Sequence, residues 1–339
     1  MYPKRTLETE RLRTGYYRSG AGMDRKLLLL HGNFSSSAFF LPMFQVLSRS
    51  WDVAAPDLRC FGDTEDAPLD ATQGYRDWSD DMFAFVRALG WERFTLLGWS
   101  MGGNVAMQFT VDHREMVEQL ILIAPGSPYG FGGSYGENGE LYYPVGLGAG
   151  GGMANPSFIN YISGDSRLFL RTILRTLYFK PPFHMSWAWE NLFIKEITKI
   201  KEGGAQYPGN YGVSLRWPYV VAGNKGVLNA MAPPHADLSA LLEVPDKPEV
   251  LWIRGDADDI VSDHSMMEFG GLGELGLAHG WPGPLVYPPQ PMVTQTRRFF
   301  DRYQDRGGQV KEVVIPGGHM CPLESPEQFF AALNEFTGK

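Results

Sequence analysis

The chain reads as an α/β protein: a mostly parallel, doubly wound sheet with an inserted, mainly helical cap. Three observations predict this. Short apolar runs at Lys26–Leu30, Asp52–Ala55, Phe94–Leu97 and Gln119–Ala124 alternate with stretches of helical spacing, as expected of strands buried on both faces beneath helices. The alternation breaks at Pro125 and resumes at Glu249–Ile253 and Lys311–Ile315, so one core is divided by a long insertion. The 339 residues are 44% hydrophobic, enough to fill a core of that size.

Residues 7–20 alternate loosely and end in Ser19-Gly20, which predicts a short antiparallel edge. The run Lys26–Leu30 stops at His31-Gly32-Asn33-Phe34, and Ser35 to Ser37 can cap a helix reaching to about Arg49. The strand at Asp52–Ala55 runs into a turn-forming loop, Pro56 through Gly62. Tyr75, Trp78, Met82, Phe85, Val86 and Leu89 then fall on one helical stripe closed by Gly90. The strand at Phe94–Leu97 turns at Gly98-Trp99-Ser100-Met101-Gly102-Gly103 into a helical segment, Asn104 through His113. Glycine dominates from Pro125 to Gly152, and helical spacing returns over Arg167–Tyr178 and Trp187–Lys201.

These breaks divide the chain into a core, residues 1–126 and 247–339, and a cap, residues 127–246. A second insertion rich in Gly and Pro, residues 265–291, precedes a helix carrying Met292, Phe299 and Tyr303. An amphipathic helix from Pro326 to about Phe336 ends the pattern.

Composition removes several classes of function. The formal net charge is −8 and no local cluster of Lys and Arg offsets it, so a nucleic-acid partner is not expected. Cys60 and Cys321 are the only cysteines, which leaves no disulfide framework and no Cys-based metal spacing. His113, His184, His235, His264 and His279 form no metal-binding pair with a carboxylate, so no metal is expected. Gly146, Gly148 and Gly151 match a dinucleotide pattern formally, but no strand precedes them; they read as loop, and no cofactor is expected. The opening residues lack the apolar centre of a signal peptide and no run approaches 18 apolar residues. The expectation is a cytoplasmic protein without a membrane partner.

Parallel sheets place ligands beyond the C-terminal ends of their strands, and every chemically suggestive residue lies just after a predicted strand. Ser100 sits in a cramped strand-to-helix corner, where it can be a helix cap or an exposed nucleophile. A serine hydroxyl needs a neighbouring base and a third group to orient that base. The strand ending at Ile253 opens into a loop with Asp256, Asp258 and Asp259, and the strand ending at Ile315 opens into Pro316-Gly317-Gly318-His319.

On these motifs the chain resembles the α/β-hydrolase fold superfamily, specifically a capped, carboxylesterase- or lactonase-like serine hydrolase, over most of residues 20–126 and 247–336. The resemblance implies Ser100 as nucleophile, His319 as base and Asp258 as the acid, with Asp256 and Asp259 as rivals. It implies the backbone N–H groups of Asn33 and Met101 as oxyanion donors and gives His31 a structural role. Cys60 stands where the family usually has glycine, and Trp99 where histidine is frequent. Phe34, Trp99, Trp187 and Trp189 are expected against the substrate. The implied reaction is cleavage of a small apolar ester or lactone through an acyl-enzyme. The same triad also serves C–C bond hydrolases, amidases and cofactor-free perhydrolases, and a slow-turnover small-ligand receptor would retain it. Epoxide hydrolases and haloalkane dehalogenases of this fold use Asp where this chain has Ser100.

Overall fold

Eight strands pair into one sheet: β1 (Arg5–Glu8), β2 (Arg13–Ser19), β3 (Lys26–Leu30), β4 (Asp52–Pro56), β5 (Phe94–Trp99), β6 (Val117–Ile123), β7 (Glu249–Gly255) and β8 (Val310–Ile315). Their spatial order is β1-β2-β4-β3-β5-β6-β7-β8. The computed structural model describes residues 2–155, 159–160 and 166–338. β1 and β2 run antiparallel at one edge, as the loose alternation of residues 7–20 predicts, and every pairing from β4 to β8 is parallel. The central strands are covered on both faces: Leu27 to Leu30 in β3 and Leu120 to Ile123 in β6 are fully buried. Their continuous apolar runs follow from that double burial.

The helices α1 (Leu41–Leu47), α2 (Arg76–Ala88) and α3 (Met101–Asp112) connect the first strands. Ser36 accepts the Ala38 amide to cap the 3₁₀ turn that leads into α1, while the Ser37 hydroxyl is taken by Asp57. α2 buries Trp78, Met82, Phe85 and Val86 along the expected stripe. It also buries Asp81, which Arg59 grips with two hydrogen bonds of 2.8 and 2.7 Å. That fork anchors the loop after β4.

The segment between β6 and β7 carries α4 (Arg167–Ile173), a π-turn at Leu174–Tyr178 and α5 (Trp187–Ile197), together with short hairpin strands such as Tyr211–Val213 against Val220–Ala222. Beyond β7 lie α6 (Phe269–Glu274), α7 (Met292–Asp305) and α8 (Pro326–Phe336). Among the described residues, no helix is long and apolar enough to cross a membrane.

The topology matters chiefly for one edge. Leu30 is level with Gly98, Trp99 with Ile123 and Gly255 with Ile315, so the loops after β3, β5, β7 and β8 leave the sheet side by side. Those loops carry Asn33, Ser100, Asp258 and His319.

Candidate active site

The corner after β5 is as cramped as its glycines imply. Ser100 has φ 56° and ψ −127°, a conformation that side chains other than glycine rarely adopt, and its amide is tied to the Ile123 carbonyl at 2.9 Å. A Cβ at Gly98 would stand 2.2 Å from the Gly102 carbonyl oxygen, and one at Gly102 would stand 2.2 Å from that of Leu30. Only glycine lets β5, α3 and β3 approach so closely. Met101 opens α3, so its N–H is among the helix amides without an intrahelical acceptor.

Asp258 is buried and bifunctional. Its Oδ2 meets His319 Nδ1 at 2.7 Å, while Oδ1 accepts the amides of Ile260 at 2.8 Å and Val261 at 3.0 Å. The rival carboxylates stand elsewhere. Asp256 is exposed; it accepts the Gly317 amide and pairs with Lys180, and these hold its pKa below the usual value, while Asp259 is raised by partial burial and by the charge of Asp258. Of the three, Asp258 is brought to the histidine.

His31 holds the turn after β3 from the core side. Its Nδ1 lies 2.8 Å from the Gly32 carbonyl and its Nε2 accepts the Leu58 amide at 3.0 Å, so the neutral ring donates from Nδ1 and accepts at Nε2. The Ser35 hydroxyl donates to the same Gly32 carbonyl at 2.7 Å. Complete burial pushes the His31 pKa down to about 4. Because the unfolded chain takes up this proton first, near pH 6.5, the stabilisation is complete above pH 6.5, declines as pH falls, and is exhausted below about pH 4. The shift corresponds to roughly 3 kcal/mol. Burial holds the Glu268 carboxyl up to about 7 and acts with the opposite sign, so the His31 contribution is read by difference. His31→Gln should flatten the loss of unfolding free energy between pH 6.5 and 4 in urea titrations relative to wild type; parallel curves would refute the assignment.

Ser100 and His319 open on one cavity of about 350 Å³. Asn33, Phe34 and Met101 line it, with Tyr207 and Tyr178. Phe169, Ile173 and Leu177 from α4 and the π-turn form one apolar wall. Met266, Met267 and Leu272 form another, from the Gly/Pro-rich insertion, where a Glu268 cap on α6 fixes the chain. Composition marked that insertion as irregular but carried no signal that it reaches the cavity.

Of the four side chains expected against a substrate, Phe34 lines the cavity and the other three do not. Trp99 is fully buried beneath it, its indole N–H donating to the His319 carbonyl at 2.9 Å. Trp187 is 65% exposed at the start of α5 with the Arg171 guanidinium 3.7 Å from its ring, and Trp189 packs on Phe193. The reason is the direction of α5: its buried stripe is Glu190, Phe193, Ile194 and Ile197, and Phe193 stacks on Phe39 rather than on the cavity. Cys60 adopts φ 73°, the left-handed backbone that glycine favours, and its thiol is buried away from the cavity with its pKa pushed up to about 12.

Comparison with known proteins agrees with this architecture. A model described as the alpha/beta hydrolase family matches residues 27–333. A serine hydrolase-like protein of Danio rerio is 34% identical over 112 residues, 33% of each chain. The soluble epoxide hydrolase of Corynebacterium sp. is 32% identical over 169 residues, 46% of this chain and 54% of that protein. The matches thus span about a third to a half of these relatives' length. The crystal structure of the enol-lactonase from Burkholderia xenovorans LB400 superposes with a TM-score of 0.62 over 99% of this chain and 100% of that one, at 14% identity, a likeness of fold.

Proposed function

The chain belongs to the alpha/beta hydrolase family, and from that premise we propose that it is a serine hydrolase cleaving carboxylic esters or lactones, with residues 127–246 as the lid over its site. One observation carries the reading: Ser100, on a strained corner, shares an apolar cavity with His319, whose Nδ1 is held by buried Asp258.

In this reading the Ser100 hydroxyl attacks the acyl carbon while His319 Nε2 takes its proton. Asp258 keeps the other ring proton on Nδ1 and steadies the imidazolium. The carbonyl oxygen, now negative, is met by the Asn33 and Met101 amides, each such donor being worth about 3 kcal/mol of barrier. Collapse breaks the bond to the leaving alkoxide, which His319 protonates. Water, deprotonated by the same ring, then releases the acid. A carboxylate nucleophile has no place at position 100, which favours this route over an alkyl-enzyme route.

The cavity bears on substrate size. At about 30 Å³ per water-sized group, it holds roughly a dozen non-hydrogen atoms, and its walls are mostly apolar. With the acyl group in the cavity and the leaving group outside it, we expect hydrolysis of p-nitrophenyl esters to rise with acyl length and fall once the acyl chain exceeds about ten carbons. A fluorophosphonate probe should label one peptide, the one containing Ser100. Labelling confined to another peptide, or none in a protein that turns over esters, would overturn the reading.

A further inference from the structure

Tyr178 ends the π-turn of the inserted segment and touches both halves of the candidate site. Its hydroxyl donates to the Asn33 carbonyl at 3.0 Å and the Phe34 carbonyl at 3.2 Å. Its own carbonyl accepts the amide of Met320, the residue after His319, at 3.0 Å. Its ring stands edge-on to His319, with centroids 6.0 Å apart at 86°, and to Trp99 at 5.7 Å. A second stitch lies two residues on: Glu324 accepts the Lys180 amide through one carboxylate oxygen and the Gly318 amide through the other, each at 2.7 Å.

The turn needs such a hold. Phe34 has φ 53°, a left-handed backbone that persists in a bulky residue only where its surroundings over-determine it. From the core side, His31 and Ser35 secure the Gly32 carbonyl; the next two carbonyls are secured by Tyr178. Burial pushes the Tyr178 pKa well up, so the phenol remains an O–H donor, and that hydrogen is committed to main-chain carbonyls rather than to a substrate.

We propose that Tyr178 is a positioning residue: it clamps the oxyanion turn and the histidine loop together, so that the catalytic geometry is complete only while the inserted segment is seated. The proposal rests on the serine-hydrolase reading. It accounts for a lid residue lying in hydrogen-bond contact with the turn at the base of the cavity, and it makes lid seating and oxyanion binding one event.

Tyr178→Phe removes the hydroxyl and keeps the ring. Expected are a fall in kcat of about tenfold to a hundredfold with KM unchanged within about twofold, because oriented donors act mainly on the transition state. Affinity for a trifluoromethyl ketone, to which a serine adds to form a tetrahedral oxyanion, should fall by the same factor; affinity for the unreactive parent alcohol should not. Glu324→Ala, which cuts the second stitch outside the cavity, should lower kcat by several-fold at constant KM. Retention of full kcat in both variants overturns the proposal. So does an equal loss of affinity for the ketone and the alcohol in Tyr178→Phe, the signature of general loosening. Ser100→Ala run beside them separates the two failures. Ester turnover that survives this change removes the serine reading and the proposal together, whereas Ser100-dependent turnover indifferent to Tyr178 removes only the proposal.

Discussion

Replacing Ser100 with alanine is expected to lower kcat on a short p-nitrophenyl ester about 10⁵- to 10⁶-fold, with KM changed by no more than a few-fold. The size of the effect follows from what remains. Alanine retains the Cβ, so the strained corner and the helix start at Met101 persist, and the two amides can still polarise a bound carbonyl. Only a water molecule is left to attack, without the alignment of an oxygen fixed at the corner. The fold should be unaffected, because Ser100 makes no side-chain hydrogen bond as a helix cap. An Ala variant with an unchanged thermal midpoint and a loss of less than tenfold would remove the nucleophile from the mechanism.

Asp258→Asn should cost about 10⁴ in kcat at neutral pH. The surrounding hydrogen bonds dictate the outcome. Ile260 and Val261 both donate to Oδ1, so the asparagine oxygen must remain there, and its NH₂ is left facing His319 Nδ1. Two donors cannot share that contact; the ring shifts its proton to Nε2 and loses the lone pair that would accept from Ser100. Asp256→Asn, on an exposed carboxylate paired with Lys180, should leave kcat within about threefold, as surface ion pairs contribute little. Equal losses in the two variants would mean that the acid had been assigned to the wrong residue.

What was legible in the sequence was whatever the sheet imposes. A strand buried on both faces must be a continuous apolar run, so β3, β5, β6 and β7 announced themselves; the loops after β5 and β7 located Ser100 and Asp258, and the loop after the edge strand β8 located His319. Gly98 and Gly102 could be read because close backbone approach leaves no other residue possible. The cavity walls were not legible, for a different physical reason. An aromatic side chain satisfies its burial against any apolar surface, so Trp187 and Trp189 gave no indication that α5 turns its stripe towards Phe39. Met266, Met267 and Leu272 lie in a segment without periodicity, and only the packed chain shows where it lands. Tyr178 closes an expected helical stretch, but its hydrogen bonds span some 144 residues of sequence, a distance over which no local pattern reports.

The cavity wall has one more chemical property. Met101, Met153, Met231, Met266 and Met267 all face the space where an acyl group would sit. Thioethers are soft and adaptable, which suits acyl groups of varied shape. They are also readily oxidised, and a sulfoxide would place a polar oxygen in an otherwise oily wall. A peracid released from an acyl-Ser100 intermediate by hydrogen peroxide would form in the cavity that these five methionines line. The same side chains that make this chamber hospitable to an acyl chain would be spent by sustained peroxide turnover, which weighs against a perhydrolase and in favour of water as the second substrate.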